Sequence, residues 1–341
     1  MSHATPTKPS RNALMSNLQT DTDGRLRHLL TLEGLGRASI SALLDRAWEL
    51  RREFRAGLAR STLLEGRTVV NLFFEPSTRT RTSFELAARR LGALVVNFDI
   101  GTSSTSKGES LEDTLATLEA MDSDAFVVRH KQNGTPALLA AHARHAAILN
   151  AGDGNHAHPT QGLLDLLTIR DHKSRIDGLK VAICGDIRHS RVARSDIHGL
   201  AALGAGEIRL CGPAELLPAA EDVPGCDLYK DFDAALEGAD VVIMLRLQKE
   251  RMASLPGLDE AEYFTRYGLD RARLARADAD AIVMHPGPMN RGVEIAPDVA
   301  DGERSVVLEQ VANGIFVRMA VLATLLTEPP PAQGSVKTRR E

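Results

Sequence analysis

The chain has 341 residues, of which 43% are hydrophobic and 25% charged, with 41 Lys and Arg against 45 Asp and Glu. A net charge of −4 leaves no basic face for nucleic acid, so anions must be bound by a few well-placed cations. The length points to two domains, the composition to an ordinary globular protein, and no apolar run approaches the ~18 residues of a membrane span.

Residues 1–25 are polar and rich in Ser, Thr and Pro, lack the apolar core of a secretory signal, and read as a mobile extension. The cytoplasm is the expected compartment. RREFRAGLAR (51–60) reads as a solvated helical face. Strands are expected at TVVNLFF (68–74), LVVNF (94–98), DAFVVRH (124–130) and AAILN (146–150), with helices at SFELAARRLGA (83–93) and LEDTLATLEAM (111–121). AAHARHAA places His142 and His145 on a helix as surface or packing residues. A helix at GLLDLLTIRDH (162–172) bridges to a second series of strands, KVAICG (180–185), EIRLCG (207–212), DVVIMLR (240–246) and AIVMHPG (281–287). RVARSDIHGLAAL (191–203) and a long final pattern at 306–326 are helical, and the end from Pro329 is a frayed tail.

Most strand runs are continuous rather than alternating, as in parallel strands covered by helices on both faces. Two successive series imply an α/β fold with two doubly wound parallel-sheet domains and a cleft between them. Cys184, Cys211 and Cys226 form no C-x-x-C pair, and no histidine stands at zinc-ligand spacing. Cys184 and Cys211 lie in or beside apolar runs and read as small buried residues, so no metal is expected.

The chemically distinctive residues follow strands. EPSTRTRT follows TVVNLFF, Arg129 and His130 close DAFVVRH, and HAHPTQ follows AAILNAGDG. GDIRHSR, RLQKER and HPGPMNRG occupy the same place in the second series. Ligands of open α/β sheets bind beyond the carboxyl ends of strands. At residues 75–82, hydroxyls and arginines gather where a helix begins, which suits a phosphate. The same residues also describe a capped helix start with solvated arginines, and by themselves they leave both readings open. There is no P-loop glycine pattern, and DIRHSRVARS lacks the G-x-G-x-x-G of a dinucleotide turn.

FFEPSTRTRTSFELAARRLGA, STSKGES, HPTQGLLDLLTI, RLQKER and HPGPMNRGVEI, in this order and spacing, resemble the successive signatures of the aspartate carbamoyltransferases, within the aspartate/ornithine carbamoyltransferase family. The likeness runs from about Leu26 to Leu326. It implies a carbamoyl-phosphate domain at 26–158 completed by a C-terminal helix at 305–326, an aspartate domain at 159–304, and tails at 1–25 and 327–341. The implied reaction moves the carbamoyl group of carbamoyl phosphate to the amine of L-aspartate, early in pyrimidine biosynthesis and without a cofactor.

By the resemblance, Ser77, Thr78, Arg79 and Thr80 hold the phosphate and the bridging oxygen. Arg129 and His158 face the carbamoyl carbonyl, while Gln161 and the backbone at Gly287 and Pro288 hold its NH2. Arg191 and Arg246 take the aspartate carboxylates, with Gln248 beside them. Ser103 and Lys107 enter a neighbouring subunit's site in a homo-oligomer, a trimer or a multiple of one. A dihydroorotase or dihydroorotase-like chain is a further expected partner; nucleic acid and membrane are not. Some relatives carry HPLPR where this chain has HPGPMNRG, a form that occurs in another bacterial branch.

Three rivals remain against this reading. An ornithine enzyme typically carries an SMG loop and an HCLP motif, absent here, and its ammonium would be repelled by Arg191 and Arg246. A non-catalytic paralogue would be expected to lose one of Arg79, Arg129, His158 or Lys107, and all four are present. A nucleotide-cofactor enzyme would need the missing glycine fingerprint.

Overall fold

The computed structural model describes residues 18–98, 109–247 and 259–327. Helix α1 (Arg37–Arg55) precedes a first sheet of β1 (Thr68–Phe73), β2 (Leu94–Phe98), β3 (Ala125–His130) and β4 (Ala147–Asp153). Its connections carry α2 (Thr78–Arg90), α3 (Leu111–Glu119) and α4 (Thr135–His142). Helix α5 (Pro159–Lys173) leads to a second sheet of β5 (Lys180–Cys184), β6 (Glu207–Cys211), β7 (Asp227–Tyr229), β8 (Val241–Met244) and β9 (Ile282–Met284). Helix α6 (Arg191–Leu203) follows β5, and α7 (Val307–Leu326) ends the described chain.

The strand orders are β2-β1-β3-β4 and β7-β6-β5-β8-β9, and every pairing is parallel. This is the expected α/β class with two doubly wound sheets. In each sheet the strand order reverses beside a central strand, between β1 and β3 and between β5 and β8. At such a switch point adjacent loops part and leave a crevice at the carboxyl edge.

The continuous apolar runs have the expected cause at the sheet centres. Phe126, Val127 and Val128 of β3 and Val241, Val242, Ile243 and Met244 of β8 are fully buried. Strand β2 departs from it: as an edge strand it leaves Leu94 64% exposed and Val96 39% exposed. Strand β7 was not foreseen, because three residues reading Asp-Leu-Tyr carry no apolar run.

Helix α7 is long and apolar enough, by length and composition, to cross a membrane, contrary to the expectation that no segment comes near that measure. Its Val317, Met319, Ala320, Val321 and Leu322 are buried, and the helix packs against α1, α2 and α5. A helix apolar on most of its circumference suits such an interior position.

Several boundaries shift. Gln19, inside the stretch read as a mobile extension, is buried, and its Oε1 accepts from the Leu30 and Thr31 N–H groups at 2.7 and 2.9 Å. Arg51 is not solvated either. It sits on the buried face of α1 with Ala47 and Leu50, pairs with Asp171 at 2.6 Å, and donates to Asn313 Oδ1 at 2.7 Å. Helix α4 ends at His142, which leaves His145 outside it. Helix α2 begins at Thr78 rather than Ser83, so the Thr-Arg-Thr-Arg segment is its first turn.

Candidate active site

Residues 75–77 carry the chain from β1 into α2. Ser77 is the N-cap residue with extended backbone, yet its side chain makes no capping hydrogen bond and the first turn contains no acid. The helix start therefore keeps its N–H donors and positive dipole end for another partner. The plain capping role does not account for this serine. By contrast Ser190, at the start of α6, does cap its helix, accepting from Ala193 N–H at 3.1 Å.

The start of α2 opens on a cavity of about 1060 Å³ lined from both sheets. Ser77, Thr78, Arg79 and Thr80 line it beside Arg129, His158, Gln161, Arg191, Arg246, Gly287 and Pro288. These eleven expected residues stand at the carboxyl end of β3 and in the loops or helix starts that follow β1, β4, β5, β8 and β9, including both strands that flank each switch point. Ser103, Lys107 and Gln248 lie outside the described residues. Among the described residues, six cations line the cavity (Arg79, Arg129, Lys131, Arg191, Arg246, Arg318) against two carboxylates, Glu75 and Asp186.

Glu75 organises two of these cations. Its Oε1 accepts from Arg129 Nη2 at 2.6 Å and from Arg191 Nη2 at 3.0 Å, and its Oε2 accepts from Arg191 Nη1 at 3.2 Å. Burial works against its ionisation, but the Arg191 and Arg129 contacts outweigh it and hold the carboxyl below its usual range. Gly152, at φ +116°, allows both guanidiniums to close on the backbone: a Cβ there would lie 3.0 Å from Arg191 Cζ and 3.1 Å from Arg129 Nη1.

His158 is buried at the N-cap of α5, and its backbone N–H donates to Ser195 Oγ at 2.9 Å. Its Nδ1 is buried with no hydrogen-bond partner among the described residues. Burial, then the charges of Arg129, Arg191 and Arg318, push its pKa well below the usual histidine value. The imidazole is neutral at pH 7 and can donate one N–H to a developing negative charge.

The turn after β9 closes the cavity from the second sheet. Gly287 has φ +65° and a cis bond to Pro288, and a Cβ there would meet Arg79 Nη1 at 3.0 Å. His285 Nδ1 accepts from Gly287 N–H at 2.8 Å, and His285 N–H donates to Gln310 Oε1 at 2.9 Å. Gln310 Nε2 donates to Asp165 at 2.6 Å, and Gln161 Nε2 donates to the same carboxyl at 3.1 and 3.2 Å.

Glu75, Asp165, Gln310 and Arg318 had no role in the sequence reading. Glu75 stood inside EPSTRT but was overshadowed by the arginines after it. The signal for Gln310 and Arg318 is their polarity within a mostly apolar final helix, which they share with Glu309, Asn313 and Thr324.

A family model described as "Aspartate/ornithine carbamoyltransferase, carbamoyl-P binding domain" matches residues 27–171. A second, for the Asp/Orn binding domain, matches residues 177–325. An aspartate carbamoyltransferase catalytic subunit from Xanthomonas campestris pv. campestris is 59% identical over 316 residues, covering 92% of this chain and all of that protein. One from Stenotrophomonas maltophilia is 58% identical over 318 residues, again covering 92% of this chain and all of that one. Aspartate transcarbamoylase from Trypanosoma cruzi, solved with carbamoyl aspartate and phosphate, superposes with a TM-score of 0.79 at 33% identity, over 91% of this chain and 99% of its own. The same protein with carbamoyl phosphate and aspartate gives 0.77 at 32%, over 91% and 100%. On the fold, the cavity and these matches together, the chain belongs to the aspartate/ornithine carbamoyltransferase family.

Proposed function

We infer that the chain transfers the carbamoyl group of carbamoyl phosphate to the amine of L-aspartate, giving N-carbamoyl-L-aspartate and phosphate. The observation that carries this is the balance, among the described residues, of six cations against two carboxylates around one cavity. One substrate brings a phosphate and the other two carboxylates, and the arginine fork matches both groups. The Xanthomonas and Stenotrophomonas relatives carry the same activity in their names, and the Trypanosoma cruzi protein has been solved with both substrates.

Carbamoyl phosphate is a mixed anhydride, so the amine can attack its carbonyl carbon directly. The protein has to position the two substrates and stabilise charge. In the proposed site the open start of α2, with Ser77, Thr78, Arg79 and Thr80, cradles the phosphate, and Arg79 neutralises the leaving oxygen. The neutral His158 and Arg129 donate to the carbonyl oxygen as it becomes an oxyanion. Gln161 and the backbone at Gly287 and Pro288 take the carbamoyl NH2. Arg191 and Arg246 bind the aspartate carboxylates with Gln248 beside them.

The same proposal extends to a cytoplasmic enzyme of pyrimidine synthesis assembled as a trimer or a multiple of one. Ser103 and Lys107 would reach a neighbouring subunit's site, and a dihydroorotase-like chain is the proposed partner. Carbamoylation assayed side by side with aspartate and with ornithine tests the central claim. Aspartate should be the acceptor, and product formed only with ornithine would overturn it.

A further inference from the structure

The carboxyls of Asp165 on α5 and Asp196 on α6 face one another inside the molecule, each 1% exposed. Asp165 accepts from Gln161 Nε2 and Gln310 Nε2. Asp196 is different: neither of its oxygens receives a hydrogen bond from an N–H or hydroxyl donor among the described residues. A bare carboxylate so placed, against a second carboxylate, would be an uncompensated buried charge. A carboxylic acid needs no outside donor, because its own O–H can donate to Asp165.

The surrounding charges agree with one anion rather than two. Gln161 and Gln310 are neutral amides, and the charged group facing Asp165 from α7 is the guanidinium of Arg318. Burial raises both carboxyls, and the neighbouring Asp165 raises Asp196 further. Helices α5 and α6 pack closely beside the pair. A Cβ on Gly162 would meet Ser195 Cβ at 3.1 Å, and one on Gly199 would meet Leu166 Cδ1 at 2.5 Å.

We propose that Asp165 and Asp196 form an acid pair sharing one proton, and that this pair is the positioning group for Gln161 and for the Gly287–Pro288 turn. The inference rests on the carbamoyl-transfer reading of the cavity. With Gln161 Nε2 held by Asp165, the amide oxygen of Gln161 is the atom left to accept from the carbamoyl NH2. Through Gln310 and His285, the same carboxyl supports the backbone of the turn at Gly287. Loss of the shared proton to solvent at alkaline pH would set two anions against each other and release both walls of the carbamoyl subsite.

The test compares Asp196→Asn and Asp196→Ala in the full-length enzyme. First, the infrared difference spectrum of wild type minus Asp196→Asn, taken without substrate at neutral pH, should contain the carbonyl stretch of a buried carboxylic acid. Second, Asp196→Ala should lower kcat/KM for carbamoyl phosphate by roughly tenfold or more, the scale of a buried partner lost, with little change in aspartate KM. Asp196→Asn should recover most of that loss, since its amide N–H replaces the acid O–H, and should move the alkaline fall in kcat to higher pH. If Asp196→Ala does not fold, the spectrum and the pH profile of Asp196→Asn carry the test. Absence of the acid band, or an unshifted alkaline limb in Asp196→Asn, overturns the acid pair. The band is read without turnover, so a wild-type enzyme that shows it but fails to carbamoylate aspartate counts against the functional reading and not against the pair.

Discussion

Glu75 and Arg191 are joined by two hydrogen bonds, at 3.0 and 3.2 Å, across the boundary between the two sheets. The same carboxylate takes Arg129 at 2.6 Å. It therefore links a cation proposed for the carbamoyl carbonyl to one proposed for the acceptor's carboxylate. Each guanidinium is mostly buried, so each depends on this partner for its orientation and charge balance.

Glu75→Gln keeps the shape and removes the charge, leaving two buried cations unbalanced. Truncating one member of such a buried pair is costly because the remaining charge stays desolvated. Turnover should fall by at least ~10-fold on that account. Steady-state rates within twofold of wild type would show that the arginines orient themselves.

Gly287→Ala should harm both stability and activity. At φ +65° an L-residue is strained, and the added methyl would lie 3.0 Å from Arg79 Nη1. The strain alone is worth about 1–2 kcal/mol. Urea unfolding should report that loss, and kcat should drop as Arg79 is displaced. An unchanged urea midpoint would remove this turn from the list of strained positions.

Acid should weaken the fold through histidines buried in the neutral form. Burial, then the charge of Arg27, lowers His28 from the usual 6.5 to about 4, and its Nδ1 accepts from Ile148 N–H at 2.9 Å. Below pH 6.5 the unfolded chain binds a proton there that the folded chain refuses until about pH 4. Stability is thus present above 6.5 and lost as pH falls toward 4, by up to about 1.4 kcal/mol per pH unit. His158, lowered by burial, acts in the same direction. His28→Asn keeps an acceptor for Ile148 and should flatten the decline between about pH 6.5 and 4, measured by urea unfolding across that window. Parallel curves for variant and wild type would exclude His28 as a source.

Subunit mixing tests the proposed sharing of sites. Arg79→Ala should cost at least ~10²-fold in turnover as a lost transition-state donor, and Arg79→Lys should recover only part of it. Lys107→Ala should be similarly inactive if this lysine completes a neighbour's site. Once native mass spectrometry shows mixed oligomers, the two inactive proteins together should regain activity. Some interfaces would then join an intact Lys107 to an intact Arg79. Mixed oligomers that stay inactive would return Lys107 to its own chain.

The main strands and helices were legible because their causes are local. The strands AFVVRH (125–130) and KVAIC (180–184) and the helix RVARSDIHGLAAL (191–203) stand where the apolar pattern puts them. A parallel strand covered on both faces writes its burial into consecutive residues. The expected site residues that the structure describes also lie together, since chemically distinctive loops after parallel strands share one edge of the sheet. Strand β7 left no comparable trace, because an edge of three residues needs no apolar run.

Sequence by itself determined the fold class, the order of the βα units and the family. It could not determine the partners of buried polar groups, because those depend on where distant segments cross. Arg51 looked solvated on its own helix and is buried because Asp171 and Asn313 meet it from two others. Glu75 and Arg191 are 116 residues apart, and Gln310 and Asp165 are 145 apart. The meeting of Asp165 with Asp196 follows from the close approach of α5 and α6 at Gly162 and Gly199. A residue's apolar or polar character is a local property, but the compensation of a buried charge is a property of the whole packing, and only the tertiary structure decides it.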